Sequence, residues 1–452
     1  MTSPSLDRSV PQIAPDAAGI DIGADTHWVS VPPERDDPMS VRSFGCFTKD
    51  LYALADWLQQ CGVTTVAMES TGVYWIPVFQ ILDARGFEVC LVNTHHVKTV
   101  PGRKSDVLDC QWLRQLHSYG LLAASFRPDN AVCVLRSYVR QRERLTQNAT
   151  VHIQRMQKAL TEMNLQLPQV VSDITGATGM RIIRAIVAGE RDPQRLAAMR
   201  DPRTKRSTAD IAAALAGDYR AEHLFVLQQE LLLYDTYCQQ IAQCDEQIQA
   251  CLATFEDKSA PDVPLSPRPK GRQASRNAPQ FDLRAHLYRL CGIDITQIDG
   301  LEALSVQTIL SEVGLDPQRF PSLKHFTSWL GLCPGSRISG GKVLNSKTRK
   351  VVNRAAKAFR IAAQSLARSQ TALGAFYRRI RSRLGAPKAV TATAHKLAHL
   401  FYRLWSTGDA YEDMGVEAYE QQYQQRVLKH LKHRAQQMGF ELIPQSSLPE
   451  VS

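Results

Sequence analysis

The sequence lacks the features of membrane, secreted and zinc-ribbon proteins. No apolar run among its 452 residues approaches the roughly 18 that a membrane span needs. The N-terminus has neither the charged segment nor the apolar segment of a secretory signal. The ten cysteines form no CxxC pair, which argues against a zinc ribbon or a disulfide scaffold. We therefore expect a cytoplasmic protein of two or three domains with reduced thiols.

Acidic residues are missing from a long stretch near the C-terminus. Pro317 to Gly408 contains no Asp or Glu but 18 Lys and Arg, and the whole chain has a net charge of +10. A solvated surface normally mixes both signs, so this basic block indicates a polyanionic partner, with nucleic acid as the first choice. The alternative is a basic oligomer interface that faces an acidic one.

Strand and helix patterns alternate over residues 18–120. Three successive strands followed by alternating helices and strands predict a mixed sheet flanked by helices. This order is typical of a ribonuclease-H-like α/β domain, and a doubly wound fold is the alternative. The predicted strands are Ala18–Ala24, Thr26–Val31, Val41–Phe47, Thr64–Ser70 and Phe87–Asn93, and the predicted helices are Asp50–Gln60, Tyr74–Arg85 and Ser105–Tyr119.

Two later segments, 135–167 and 224–252, have heptad spacing of apolar residues; polar Arg142 and Thr146 interrupt the first and Asp245 interrupts the second. This spacing predicts a long coiled-coil arm, paired either within the chain as an antiparallel hairpin or between two chains. Residues 168–220 between the segments predict shorter helices at the tip of that arm.

A proline-rich stretch, 259–280, has neither helical nor strand periodicity and predicts a flexible linker. The sequence beyond it reads as mostly α-helical and basic up to about Thr407. The predicted organisation is an α/β domain at 17–128, a helical arm at 129–258, a linker at 259–280, a basic C-terminal domain at 281–408 and a charged helical tail at 409–452.

Four carboxylates stand at strand ends or at the start of a helix. Asp21 lies in one apolar strand and Glu69 ends another, while Asp106 and Asp109 share one face of a helix. A carboxylate in an apolar strand is costly unless it is paired or bound to a metal, and Mg²⁺ prefers oxygen ligands. The pattern predicts a Mg²⁺ site for phosphoryl transfer. The alternative for Asp106 and Asp109 is that they are ordinary N-cap and turn acids, and Asp25 competes with Asp21.

The stretch RISGGK places Ser339 before two glycines, where the backbone can approach a phosphate closely. Arg337 and Lys342 flank it and are suited to hold phosphate oxygens. A serine nucleophile needs an activating base or metal. From the residues alone, a glycine-rich turn in which Ser339 only donates a hydrogen bond is the stronger interpretation, and Ser336 and Ser346 are further candidates.

Three other signals are weak. DIGADT, which begins at Asp21, also fits the phosphate loop of an actin-like kinase, but no second phosphate loop or adenosine motif follows. The adjacent His95 and His96 point to opposite sides of an extended segment, which argues against a joint metal role. The turn at Gly300 resembles that of a helix-hairpin-helix DNA-backbone binder, although such turns are common.

Taken together, the motifs resemble the DEDD-type insertion-sequence transposases, the family that includes the Piv-type DNA invertases. Five stretches match in the family's order over roughly residues 17–370. They are GIDIGADTHWV, AMESTGVYW, GRKSDVLDCQWL, SDITGATGMRIIRAIVAGERDP and WLGLCPGSRISGGK. The resemblance implies a RuvC-like domain that uses the four acids and a transposase domain whose nucleophile is Ser339. Ile338 stands where family members often have a first serine, which leaves Ser339 as the better match.

The resemblance implies a transposase that cuts and rejoins DNA. Our hypothesis is that Ser339 attacks a phosphodiester and forms a phosphoserine intermediate, with Mg²⁺ held by the four acids. Many members of the family are directed by a structured noncoding RNA. The implied partners are therefore DNA, a guide RNA and further copies of the chain in a dimer or tetramer. The residues predicted to contact nucleic acid are Arg103, Lys104, Arg337, Lys342, Lys347, Arg349, Lys350 and Arg354.

Two rival functions stay open. In a RuvC-type junction nuclease, metal-bound water attacks the phosphate and Ser339 is only a phosphate contact. In a catalytically inert nucleic-acid-binding protein, the four acids have no role, so their presence argues against it.

Overall fold

The computed structural model describes residues 11–36, 38–93, 105–260, 263–268, 275–349 and 351–443. The chain divides into two compact units, Met1–Arg127 and Pro128–Ser452. Within the described ranges, no helix has the length and apolar character needed to cross a membrane.

The first unit contains a five-stranded mixed sheet. The strand order is β3-β2-β1-β4-β5; β1 pairs antiparallel with β2 and parallel with β4. Its elements are β1 (Ala17–Ile22), β2 (Thr26–Ser30), β3 (Val41–Gly45), α1 (Thr48–Gln60), β4 (Thr65–Glu69), α2 (Trp75–Ala84), β5 (Glu88–Val92) and α3 (Asp106–Ser118). All eight predicted elements are present, and the topology is compatible with the expected nuclease-like α/β fold.

The two faces of the sheet are covered by different helices. Because successive strand residues point to opposite faces, Ile20 and Met68 join the large apolar core that α1 and α2 complete. On the other face, Ala67 and Val92 pack with Leu113 of α3. The residues at odd positions of β1 therefore face α3.

Gly19 allows α3 to lie directly on β1. A Cβ atom at this position would overlap the carbonyl oxygen of Cys110 and the backbone nitrogen of Arg114. Since the obstructing atoms belong to the backbone of α3, no side-chain rotation can relieve the overlap. The absence of a side chain at Gly19 therefore sets the distance between α3 and the sheet.

The second unit begins with two long helices, α4 (Asn130–Glu162) and α9 (Ala221–Ala253), which pack against each other within the chain. Their cross-contacts run in opposite directions along the two sequences, so the helices are antiparallel. The intrachain hairpin is therefore present, while the coiled-coil geometry stays a prediction. The tip between them contains α5 (Leu167–Val170), α6 (Ala177–Val187), α7 (Pro193–Ala198) and α8 (Thr208–Ala214).

Two of the polar residues that interrupt the heptad patterns, Arg142 and Asp245, pair with each other across the hairpin. Arg142 Nε donates to Asp245 Oδ1 at 2.5 Å, and the two side chains are only 8% and 13% exposed. A second Arg142 nitrogen donates to the carbonyl oxygen of Asn277 at 2.7 Å. The same helices are joined by His152 and Glu230, whose Nδ1 and Oε2 atoms are also 2.5 Å apart. These buried polar contacts favour one register of the hairpin.

The rest of the second unit is mostly helical. Its core is aromatic, with Phe326 in ring contact with both Phe359 and Phe401. Gly300 approaches the Ala362 carbonyl oxygen closely, so its lack of a side chain serves helix packing. The elements are α10 (Leu283–Cys291), α11 (Ala303–Val313), α12 (Leu323–Trp329), β6 (Arg337–Ser339), β7 (Lys342–Asn345), α13 (Arg354–Ser365), α14 (Ala372–Leu384), α15 (Ala386–Thr407) and α16 (Gly415–Gln437).

The first prediction concerns the buried ion pair of the hairpin. Asp245→Ala leaves Arg142 buried without its carboxylate and lowers the free energy of unfolding by about 3–5 kcal/mol, as measured by chemical denaturation. The double variant Arg142→Leu/Asp245→Leu regains most of that loss. Lys158→Ala, which removes an exposed ion pair with Glu162, is the control and costs at most about 1 kcal/mol. Equal losses for Asp245→Ala and Lys158→Ala would contradict the register role.

The second prediction concerns Gly19. Gly19→Ala forces α3 away from β1 and destabilises the protein by about 3 kcal/mol, read as a fall in melting temperature. Gly86→Ala is the contrasting variant, because its φ of +82° is strained while the space around it is open; we expect it to cost about 1 kcal/mol. Similar costs at both positions would show that α3 can shift freely.

Candidate active site

The register of the sheet places the first two acids side by side. Ile20 of β1 is opposite Met68 of the parallel strand β4, so the next residues along, Asp21 and Glu69, are also neighbours. Both side chains lie on the face of the sheet that carries Gly19 and is covered by α3. Asp25, the competing acid, lies exposed in the turn after β1.

The other two acids lie in the first turn of α3. Ser105 is the N-cap residue, and its hydroxyl accepts a hydrogen bond from the Leu108 backbone nitrogen at 3.3 Å. Asp106 and Asp109 are therefore not the N-cap residues of α3; they occupy its first helical turn. Because α3 passes over Gly19, its first turn lies over the neighbouring end of β1, where Asp21 is found.

The four carboxylates interact electrostatically. Burial raises the pKa of Asp21 to about 6, and the negative charges of Glu69, Asp109 and Asp106 add to the effect in that order. Glu69 is itself buried, whereas Asp106 is exposed. The structure thus brings together all four acids that the sequence singled out, near the C-terminal ends of β1 and β4.

This set fits a divalent cation in its chemistry. All its ligand atoms are carboxylate oxygens, and a cation would offset the repulsion and desolvation that raise the pKa of Asp21. In the arrangement of the described side chains, no three or more His, Cys, Asp or Glu residues could hold a metal ion. A bound cation would therefore need the carboxylates to draw closer together.

Two neighbours of Asp21 were not singled out from the sequence. Trp28 is opposite Asp21 in the antiparallel pairing with β2, so both side chains lie on the same face. Cys110 lies on α3, and burial together with the Asp21 charge raises the pKa of its thiol to about 12. Cys110 is therefore a neutral thiol at neutral pH rather than a nucleophile. The strand register was the signal that would have identified Trp28.

Ser339 is the last residue of β6 and lies in the second unit, not in the unit of the acids. It pairs with Lys342 across a hairpin, and both residues are exposed. The intervening Gly340 and Gly341 have φ values of +55° and +76°, as a tight hairpin turn with two left-handed residues requires. The turn accounts for both glycines, and it presents the Ser339 side chain at the surface.

The predicted nucleic-acid contacts have different surroundings. Lys342 and Lys347 are exposed. Arg349 donates to the Ser328 carbonyl oxygen at 2.7 Å. Arg354 forms an ion pair with Glu143 of α4. Arg103, Lys104 and Lys350, together with His95 and His96, lie outside the described residues, as does the side chain of Arg337.

The basic block is partly neutralised by acids from outside it. Glu143 also lies 3.9 Å from Lys357, and Arg379 forms an ion pair with Glu420. Some basic residues of the block therefore stabilise the fold, and only the unpaired, exposed ones are available to a polyanion.

Two separate segments of the chain match models of known protein families. The family model DEDD_Tnp_IS110, described as a transposase, matches residues 18–165, which include all four acids. The model described as the transposase IS116/IS110/IS902 family matches residues 294–378, which include Ser339. Together the matches cover slightly more than half of the chain. A search of curated proteins finds no match.

Both descriptions are of transposases, enzymes that bind DNA, cleave it and transfer its strands. Domains of the DEDD type generally use divalent metal ions for this reaction. The resemblance noted in the motifs is therefore confirmed: the chain belongs to the IS110-type family of DEDD transposases.

Proposed function

We propose that this transposase cuts and rejoins DNA through a phosphoserine intermediate on Ser339, with Mg²⁺ held by Asp21, Glu69, Asp106 and Asp109. The observation that carries the proposal is the electrostatic coupling of these four acids, three of which raise the pKa of the fourth. Burial of Asp21 and its repulsion by the other three carboxylates cost stability. Ionisable groups whose pKa values are shifted at a cost in stability are typical of catalytic sites.

The oxygen-only set favours Mg²⁺ among the divalent cations, because Mg²⁺ is a hard ion. When bound, the ion would stabilise charge on a phosphate and make a hydroxyl more acidic. The protein itself orients the carboxylates, and the contact of α3 with Gly19 serves this purpose. Half-buried Trp28 adds an apolar side chain on the same face.

The role of Ser339 as nucleophile is supported by its exposure at a tight turn and by the lysine opposite it. In the proposed step the Ser339 Oγ–phosphorus bond forms as the bond from phosphorus to the departing DNA oxygen breaks. The serine proton passes to a base, and the departing DNA oxygen takes up a proton from that base and leaves as a hydroxyl. A DNA hydroxyl then attacks the phosphoserine, rejoins the strand and restores Ser339. Lys342 is suited to neutralise a phosphate oxygen during both steps.

The proposed partners follow from charge and from the reaction. Exposed bases such as Lys342 and Lys347 give the hairpin of Ser339 a positive surface for a phosphate backbone. A noncoding guide RNA, as in relatives, is a second polyanion that this chemistry accommodates. Because exchange of strands between two duplexes requires several cuts, we also propose that a dimer or tetramer acts.

A RuvC-type nuclease without a covalent intermediate is the second candidate. The observation that favours it is that the tight turn already explains both glycines after Ser339. In that case the acids suffice for cleavage and Ser339 only contacts a phosphate.

The third prediction distinguishes these two mechanisms. The protein is incubated with Mg²⁺, its co-expressed RNA and labelled element-end DNA, then denatured and separated on a gel. We expect a DNA-linked protein band for the native chain and for Ser336→Ala, and none for Ser339→Ala. Ser336 is the matched control because it is an exposed serine three residues away. Cleaved DNA without an adduct in any sample would exclude the phosphoserine and favour the nuclease.

The fourth prediction tests the acid set by its stability. Because the pKa of Asp21 is raised in the folded state, its charged form opposes folding at neutral pH. Asp21→Asn should therefore stabilise the metal-free protein by about 1–2 kcal/mol, after allowance for solvent screening. Mg²⁺ should raise the melting temperature of the native chain but not that of the variant.

Asp25→Asn is the control for this measurement, because Asp25 is an exposed acid four residues away. We expect it to leave both the metal-free stability and the response to Mg²⁺ unchanged. The proposed metal site would be contradicted if Mg²⁺ did not change the melting temperature of the native chain. It would also be contradicted if both variants lost the response to Mg²⁺.

A further inference from the structure

The first half of α16 is anchored to the second unit by cation–π contacts. The Arg379 guanidinium of α14 lies 3.4 Å from the ring centroid of Tyr423 and 5.1 Å from that of Tyr419. It also forms an ion pair with Glu420. Lys396 of α15 lies 5.8 Å from the Tyr419 ring. These contacts hold the start of α16 against both neighbouring helices.

The second half of α16 extends beyond these neighbours. The Ala372 backbone nitrogen donates to Asp413, and Arg379 contacts Glu420, so α14 and the chain leading through α16 run in the same direction. After these contacts α14 ends at Leu384, whereas α16 continues to Gln437. At 1.5 Å per residue, α16 reaches about 18 Å past the end of α14. Nearly every residue of this second half is exposed.

The projecting half of α16 carries only positively charged and neutral side chains. From residue 421 to residue 440 there are four Lys and Arg and two His, and no Asp or Glu. The spacing of Arg426, His430 and Arg434 continues the helix face that Tyr419 and Tyr423 use for packing. This face therefore turns toward the end of the α14–α15 pair.

The end of the α14–α15 pair is basic as well. Residues 381–388 are all exposed, and they include Arg381, Arg383 and Lys388. The N-cap residue of α15, Gly385, provides no side-chain cap, so the first backbone N–H groups of this helix add a positive partial charge. We call the set formed by Arg381, Arg383, Lys388, Arg426, His430 and Arg434 the C-terminal basic surface.

Positive groups of the two helices repel each other at this surface. Burial and the nearby Arg426 charge lower the pKa of Lys396 on α15. A surface helix in water normally relieves such repulsion with interspersed acids, and here the described part of α16 contains none beyond Glu420. An anionic partner would remove the repulsion.

We propose that the C-terminal basic surface binds the phosphodiester backbone of duplex DNA, the polyanion on which a transposase acts. This site is distinct from the acid set and from the Ser339 hairpin, and it extends the proposed function by a further contact. Contacts of this kind supply affinity and position without reading sequence. The inference rests on the proposed function, because it requires that the chain binds nucleic acid.

The fifth prediction compares two pairs of substitutions in the full-length chain. Lys388→Gln/Arg434→Gln removes two charges from the C-terminal basic surface. Lys429→Gln/Lys432→Gln removes two exposed charges of α16 that lie outside the face of Arg426, His430 and Arg434, and it is the matched control. Binding is measured by fluorescence anisotropy over a salt series, with a duplex DNA of arbitrary sequence and with an RNA hairpin as probes.

We expect the first pair to lower affinity for the duplex DNA by about tenfold and to reduce the slope of log affinity against log salt by about 2. The control pair should retain most of the affinity. A larger loss for the RNA hairpin than for the duplex would contradict the assignment to DNA. Circular dichroism checks that both variants are folded.

Three results would overturn the inference. One is native affinity in the first pair for both probes, and another is an equal loss in the control pair, which would show only a general effect of charge. The third is retained binding with a reduced oligomer mass, which would assign α16, with its exposed Val427, Leu428 and Leu431, to contacts between copies. Absence of binding by the native chain would instead contradict the proposed function itself.

Discussion

The contact between α3 and β1 at Gly19 is the constraint on which the acid site depends. Backbone lies against backbone there, so the first turn of α3 is brought over the end of β1. Two acids on a helix thereby join two acids on strands, although some 85 residues separate Asp21 from Asp106. The result is an electrostatically strained set, in which burial and repulsion keep the pKa of Asp21 near 6. Our proposal of a cation at this set follows from the same repulsion, which a bound cation would relieve.

Charge has two separate uses in the second unit. Arg142 and Arg354 show the structural use, since each is paired with an acid of α9 or α4. The exposed bases around Ser339 and on the second half of α16 have no acids beside them in the sequence, and the use that we propose for them is the attraction of a polyanion. The division matters for function: a basic residue already paired inside the fold contributes little to the attraction of a polyanion.

Much of the first unit was predictable because its strands and helices are short, strongly patterned and bounded by turn residues. The four acids were predictable as candidates for the same reason, since an acid in an apolar strand contradicts the local pattern. Trp28 was not, because its nearness to Asp21 comes from the register of two strands. Arg142 and Asp245 were noted as exceptions to heptad patterns, and only the pairing of α4 with α9 explains them.

By itself, the sequence determined the element types, the mixed α/β character of the first unit, the basic block and the family, since periodicity, composition and local motifs are properties of neighbouring residues. Tertiary structure decided which side chains meet. It gathered the acids at one face of the sheet, placed Gly300 against the Ala362 carbonyl oxygen, and paired part of the basic block with acids elsewhere. These outcomes depend on contacts between residues far apart in the chain, and local patterns carry no information about such distances.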